Sequence, residues 1–312
     1  MPGSPYFTIV IPTYNRADLI GETIGSVLAQ SDPDFEIIVV DDGSTDDTEA
    51  VVRAIADDRV QYFRKENAER GAARNYGAAR ARGRYVNFVD SDDVLYPNHL
   101  TAARGLIEKT GEPEVVYLAF EMRDRDGKLL IPGRTLTGDV TAALVRGNVL
   151  GPNGIVLRRD VALACPFNED RRLSGSEDWE LGLRLASRYP IHYSNEVTSV
   201  MVNHELRSVL QADEQALLDR KDLTLQYLFE DEAFVARLGH CRALIENEFL
   251  SYIALHLALD GRPVRAAKYL KDSLLSRPSS VFQRRFVAVV KHIMIGAMNR
   301  AIRPTTTPRQ DR

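Results

Sequence analysis

The stretch YVNFVDSDD, residues 85–93, sets a short run of apolar residues as a strand and then stops it on three carboxylates, Asp90, Asp92 and Asp93. A strand with no consistently polar face belongs in a sheet covered on both sides. In an open α/β sheet, ligands bind beyond the carboxyl ends of the strands, where these acids lie. Crowded carboxylates repel one another and are costly to keep ionised unless a cation or hydrogen-bond donors offset them. Hard oxygen ligands one residue apart suit Mg2+ or Mn2+, ions that keep waters and bridge to substrate phosphates. Taken alone, a DxD is commonly a turn or a helix cap, so its neighbours decide the reading.

Working outward, the same pattern of strand, polar turn and helix recurs. FTIVI (7–11) is a β-branched run ended by Pro12, and Ile20, Ile24, Val27 and Leu28 follow at helical spacing. FEIIVV (35–40) is a second strand, after which Gly43 turns the chain and Ser44 or Thr45 can cap a helix with an acidic first turn. VQYF (60–63), an Ala-rich helix near 72–82, the quoted strand, a helix after Pro97 and EVVYLAF (114–120) continue the alternation. The fold class expected is α/β, a Rossmann-like and mostly parallel central sheet with helices on both faces. From about residue 206 onward only helical periodicity is evident, including one hairpin of tetratricopeptide type that a single unit cannot extend into an array.

With 312 residues, of which 44% are hydrophobic, the chain can bury a core for one large domain and an appendage. A formal net charge of −4 gives no general attraction to nucleic acid. Cys165 and Cys241 lie far apart without CxxC spacing, which argues against a disulfide framework or thiolate zinc site and fits a reduced, cytoplasmic setting. Neither a secretory h-region nor a membrane-spanning run of apolar residues is expected. No GxGxxG follows the first strand, so a dinucleotide oxidoreductase is disfavoured. A receiver domain is disfavoured too, since its acidic pair follows the first strand and here the pair follows the second. A non-catalytic sugar- or nucleotide-binding protein on the same fold is the alternative.

Four ordered blocks carry a resemblance: FTIVIPTYNRADLIGETIGSVLAQ, FEIIVVDDGSTDDT, NAERGAARNYGAARARGRYVNFVDSDD and SGSEDWELGLRLA. Together they resemble the signature blocks of family 2 glycosyltransferases with the GT-A fold, across roughly residues 6–208. The resemblance implies an inverting, metal-dependent transferase with a GT-A domain over 1–208, a helical region over 209–303 and a disordered tail over 304–312. Its donor would be a nucleotide sugar, usually a UDP-sugar, held by Pro12, Thr13, Tyr14, Asn15 and Arg16 after the first strand. Tyr14 offers a face to the base, and Asp41 or Asp42 accepts from its imide N–H. Arg16 and Arg74 would neutralise the pyrophosphate with Gly71 allowing close approach, whereas Arg70, Arg80, Arg82 and Arg84 read as a solvated face. Asp90, Ser91 and Asp92 would serve ribose and metal, the cofactor being Mn2+ or Mg2+, with His204 as a further ligand.

For the acceptor half, the family pattern assigns the base to Asp178, with Glu177 contacting acceptor or orienting the loop. Trp179 reads equally as a sugar platform or a core residue. The departures at Cys165 and Asn168, in CPFNEDRR, bear on the acceptor. Acceptors implied are saccharides or lipid-linked sugars. The segment 281–303 holds five Lys or Arg and no acid among apolar residues, a pattern suited equally to an anionic membrane face and to packing on the domain. That would bring the chain to the inner face of the cell membrane. Nothing in the sequence specifies an oligomeric state.

Overall fold

The computed structural model describes residues 4–203 and 213–302. The chain forms two compact units, Met1–Val209 with Gln226–Gly239, and Leu210–Leu225 with His240–Arg312. His204 and the tail 304–312 lie outside the described residues.

In the first unit, β1 (Phe7–Thr13), α1 (Ile20–Leu28), β2 (Phe35–Asp41), α2 (Thr48–Arg53), β3 (Val60–Arg64), α3 (Glu69–Ala78) and β4 (Tyr85–Phe88) alternate as expected. Then come β5 (Val94–Leu95), α4 (His99–Lys109), β6 (Val115–Asp124), β7 (Leu129–Ile131), α5 (Val140–Leu144), β8 (Ile155–Arg158), α6 (Arg159–Ala164), α7 (Glu177–Arg188) and β9 (Ile191–Asn203). The helix α8 (Glu214–Glu230) leads to α9 (Glu232–Leu238). One sheet runs in the order β3-β2-β1-β4-β8-β6-β9-β5, with β7 paired to β6. β1 to β4 are mutually parallel, β8 is antiparallel to both β4 and β6, and β9 is parallel to β6. The sheet is therefore mixed, where the run of early strands suggested mainly parallel pairing.

Strand alternation distributes the core. Ile9 and Ile11 of β1 share one cluster with Ile20 and Ile24 of α1 and Leu100 and Ile107 of α4. Val10 points to the other face, onto α3. There a Cβ on Gly77 would lie 2.4 Å from Val10 Cγ1, so only glycine lets this helix approach so closely. Asn87, a buried polar residue within β4, donates to the carbonyls of Asn153 and Ile155 at 2.9 Å each. It thereby ties β4 to the turn that starts β8 and satisfies its buried amide nitrogen, while its Oδ1 has no hydrogen-bond partner among the described residues. The long β9 carries Ser194, Asn195 and Glu196 on an exposed or part-exposed stretch and Thr198 and Ser199 in its buried one, which is why hydrophobic periodicity does not announce it.

The second unit is helical. α10 (Arg242–Leu259), α11 (Pro263–Ser276) and α12 (Arg284–Ile302) share a core of Ile253, Leu257, Ala266, Tyr269, Leu270 and Val289. The expected hairpin is thus α10 with α11, and α12 covers the face that a lone pair would leave open. Outward from α12 stand Val287, Met294 and Ile295, preceded by Phe282 at 89% exposure. Among the described residues, no helix is long and apolar enough to cross a membrane.

Candidate active site

Because β1, β2 and β4 are parallel, their carboxyl ends open onto one edge. There they line a cleft of about 450 Å³ with the first turn of α3. Pro12, Thr13, Tyr14 and Arg16 enter it from β1, Asp42 from β2, and Asp90, Ser91 and Asp92 from β4. Asn15 sits in the left-handed region (φ 50), a conformation asparagine tolerates better than most residues. Its amide N–H donates to Ser44 Oγ at 2.9 Å and its Oδ1 accepts from the Thr45 N–H at 2.8 Å, clasping the first loop to the second. Asn15 itself positions the loop, while its neighbours line the cleft. Tyr14 is exposed at the rim, and the buried Thr13 hydroxyl has no hydrogen-bond partner among the described residues.

The two acids after β2 have different tasks. Asp41 is fully buried, accepting from the Ser44 N–H at 2.7 Å and the Tyr62 hydroxyl at 2.6 Å, so it anchors the turn. Asp42 reaches the cleft, its Oδ1 accepting from Lys65 Nζ at 2.7 Å and the Ala68 N–H at 3.0 Å.

Carboxylate oxygens of Asp90, Asp92 and Asp93 lie within 4.8 Å of one another. Asp93 is buried, accepting from Asn153 Nδ2 at 2.7 Å and from the Val202 N–H at 2.9 Å. Burial, then the charges of Asp92 and Asp90, push its carboxyl well above the ordinary range. Asp90 accepts from Arg74 Nη2 at 2.6 Å, and Asp92 lies 3.6 Å from Arg16 Nε. A hard, all-oxygen donor set facing a cleft fits Mg2+ or Mn2+, with Asp90 and Asp92 as the half-exposed ligands and Asp93 behind them. The His204 assignment falls outside the described residues.

Behind Arg70 and just after Ser174, both of which line the cleft, stands the start of α7. Glu177 is 4% exposed and accepts from Arg74 Nη1 at 3.0 Å and, through its other oxygen, from the Gly175 N–H at 2.6 Å. Burial opposes its charge, but Arg70 and Arg74 outweigh that and hold its carboxyl below the usual range. Asp178 is placed differently. Its Oδ2 accepts from Asn148 Nδ2 at 2.9 Å and its Oδ1 from the Trp179 N–H at 2.8 Å. Burial and the neighbouring Glu177 charge push its carboxyl up to about 6.

Several residues take roles other than those their positions suggest. Arg74 is 1% exposed and joins Asp90 to Glu177, with Phe167 against its guanidinium, so its charge is already spent within the protein and does not line the cleft. Arg70 replaces it as the cleft-facing cation: it is no solvated residue but lines the cavity 3.7 Å from Glu177. Arg80, by contrast, stacks on Tyr76, Arg82 pairs with Glu36, and Arg84 pairs with Glu112. Gly71 makes room for protein, since a Cβ there would lie 2.6 Å from the Asn168 carbonyl oxygen. Trp179 is a core residue, 6% exposed, whose indole N–H donates to the Leu144 carbonyl at 2.8 Å; packing, and not a sugar platform, is its role. Asn148 and Asn153 went unread because single polar residues between the regular elements have no periodicity to betray them.

Comparison with known proteins adds the following. Residues 8–140 match the family model described as glycosyl transferase family 2. An uncharacterized glycosyltransferase of Rickettsia bellii is 38% identical over 191 residues, 58% of this chain and 27% of that protein. The GalNAc(5)-diNAcBac-PP-undecaprenol beta-1,3-glucosyltransferase of Campylobacter jejuni is 38% identical over 129 residues, 40% of this chain and 41% of that protein. The chain spans about a third of the length of the curated relatives it matches. Among solved structures, S. aureus TarS 1-349 in complex with UDP-GlcNAc aligns with a TM-score of 0.63 at 19% identity, over 98% of this chain and 94% of that one. Mannosyltransferase PcManGT from Pyrobaculum calidifontis, in complex with GDP-Man and Mn2+, aligns with a TM-score of 0.58 at 18% identity, over 96% of this chain and 88% of that one. Likeness of this extent shows the GT-A fold.

Proposed function

We propose that this chain, a member of glycosyl transferase family 2 through its residues 8–140, is an inverting transferase that moves a sugar from a nucleotide diphosphate sugar to an acceptor hydroxyl. The observation that carries this reading is the buried link Asp90–Arg74–Glu177, which fixes the acidic cluster and the carboxylate beside the base candidate as one rigid unit. A donor diphosphate placed in the cleft would meet Arg70, Arg16 and the amino end of α3, all favourable to anions. Tyr14 would stack on the base at the rim, and Asp42 would accept from its imide N–H. A uracil base is the reading favoured by that acceptor, in keeping with the UDP-GlcNAc held by TarS.

Asp90 and Asp92 would hold the divalent cation, Mn2+ or Mg2+, which when bound supplies positive charge for the departing diphosphate. Asp178 accepts the proton of the acceptor hydroxyl as its oxygen bonds to the anomeric carbon and the bond to the diphosphate oxygen breaks. Asn148 keeps that carboxylate aimed and ionised by donating to it. Glu177 stays charged and holds the loop through Gly175. Attack from the face opposite the leaving group inverts the anomeric centre. The acceptor is proposed to be a saccharide, lipid-linked as in the Campylobacter jejuni relative. Peripheral contact with an anionic membrane through 281–303 fits the outward Val287, Met294 and Ile295 beside Lys291.

Release of UDP or another nucleoside diphosphate from a donor panel, with and without Mn2+, tests the reading. Asp92→Ala should weaken Mn2+-dependent donor binding at least about tenfold, since a lost hard ligand at this rim has no replacement. Calorimetric titration showing equal donor affinity for both proteins would remove the metal role from Asp92.

A further inference from the structure

We propose that the hairpin of β6 and β7 is a lipid-docking element that seats the active-site edge of the sheet against an anionic bilayer surface. β4 and β6 both run antiparallel to β8, so they end at the same edge. The registers Asn87 to Val156 and Val156 to Val116 put Asp90 about level with Ala119. Leu129 pairs with Arg123, four residues farther along, so the hairpin projects roughly 13 Å past the acidic cluster at ~3.3 Å per residue.

What projects is apolar and cationic. Leu129, Leu130 and Ile131 are 45, 42 and 55% exposed, so both faces of the ribbon offer apolar side chains to the outside. A monomer ordinarily leaves polar residues at such a tip, and a contiguous apolar patch marks a contact surface. Arg125, Lys128 and Arg134 surround it, all exposed and none with an ion-pair partner among the described residues. Arg123 pairs with Glu121, and against the three cations stand the exposed Asp126 and the part-exposed Asp124, whose carboxylate accepts from the Asp126 and Lys128 backbone N–H, so the hairpin keeps a small positive excess. The apolar side chains have no route back to the core. Leu136 and Asn195 exchange hydrogen bonds of 2.8 and 3.0 Å at the hairpin base, and Gly133 packs against Val197.

Free cations encircling exposed aliphatic residues are complementary to anionic headgroups over acyl chains, which take up each class of group at its own depth. The use of this surface for transfer to a lipid-linked acceptor rests on the function proposed above; the docking itself does not.

The test is partition of the full chain onto vesicles of phosphatidylglycerol and phosphatidylcholine, compared with phosphatidylcholine alone. Wild-type chain should favour the anionic vesicles. The variant Leu129→Ser/Leu130→Ser/Ile131→Ser should bind them about tenfold more weakly, as should Arg125→Glu/Lys128→Glu. An unchanged melting temperature would show that these exposed positions leave the fold intact. Equal partition of wild type and both variants would overturn the proposal, and would place any membrane affinity on α12. Self-association of the wild type that the serine variant abolishes would overturn it too, in favour of a second copy as occupant. Nucleotide release from a donor, measured without vesicles, should be the same in all three proteins; its absence from all of them would defeat the transferase reading and leave the partition result standing.

Discussion

Asp178→Asn should leave donor affinity within about twofold of wild type while turnover falls by about 10²–10⁴-fold, the range a positioned general base contributes. The substitution keeps the shape of the side chain, an acceptor for the Trp179 N–H and a partner for Asn148, but an amide cannot accept the acceptor's proton. The carboxyl at this position is pushed up to about 6 by burial and by Glu177, so the base is ionised only above that pH. Turnover should fall about tenfold per pH unit below it. Asn148→Ala should move this limb upward, because a hydrogen bond donated to the ionised form lowers the carboxyl pKa. Stability runs the other way. The folded state binds this proton more tightly than an unfolded chain with the ordinary value of 3.8, so this group weakens the fold as pH rises from there to about 6 and is not a source of acid unfolding in that window. Full turnover in the asparagine variant, or an acid limb unmoved by Asn148→Ala, would place the base elsewhere.

The sequence made the first half of the sheet legible because strands covered on both faces must be mainly apolar, as β1 and β2 are apart from a few hydrogen-bonded polar residues such as Thr8 and Glu36. It made the acidic rim legible because three carboxylates in one short run have no ordinary packing role. It hid β8 and β9, the first only four residues long and the second half-exposed and polar. Assigning arginines was the harder matter. Arg70 and Arg74 lie one helical turn apart on α3, and composition alone does not tell which one meets the cleft and which meets Glu177. That distinction is set by Gly71 and Phe167, which bring the 165–168 segment against the helix and bury Arg74 beneath it. Asp178 and Trp179 are likewise adjacent in sequence, yet α7 sends one to Asn148 and the other into the core.

Arg74→Met should destabilise the fold by about 3–5 kcal/mol, because it removes the buried cation shared by two acids, even though Glu177 keeps Arg70 nearby. Side-chain exposures of 1% for Arg74 and 5% for Glu177 mean that water screens little of this loss, though Asp90 at 21% can recover part of its hydration. Denaturant unfolding measures the effect, and its origin can be separated from simple loss of packing. If charge is responsible, adding Glu177→Gln to Arg74→Met should restore part of the stability that either change alone removes, giving a coupling energy well outside additivity. Mn2+ should also stabilise Arg74→Met more than wild type, since a cation at Asp90 and Asp92 supplies some of the missing positive charge. Additive losses with no differential effect of Mn2+ would mean that the link is a packing contact. Donor site and base loop would then be free to move independently, and Arg74→Met would lower stability without lowering turnover at saturating donor.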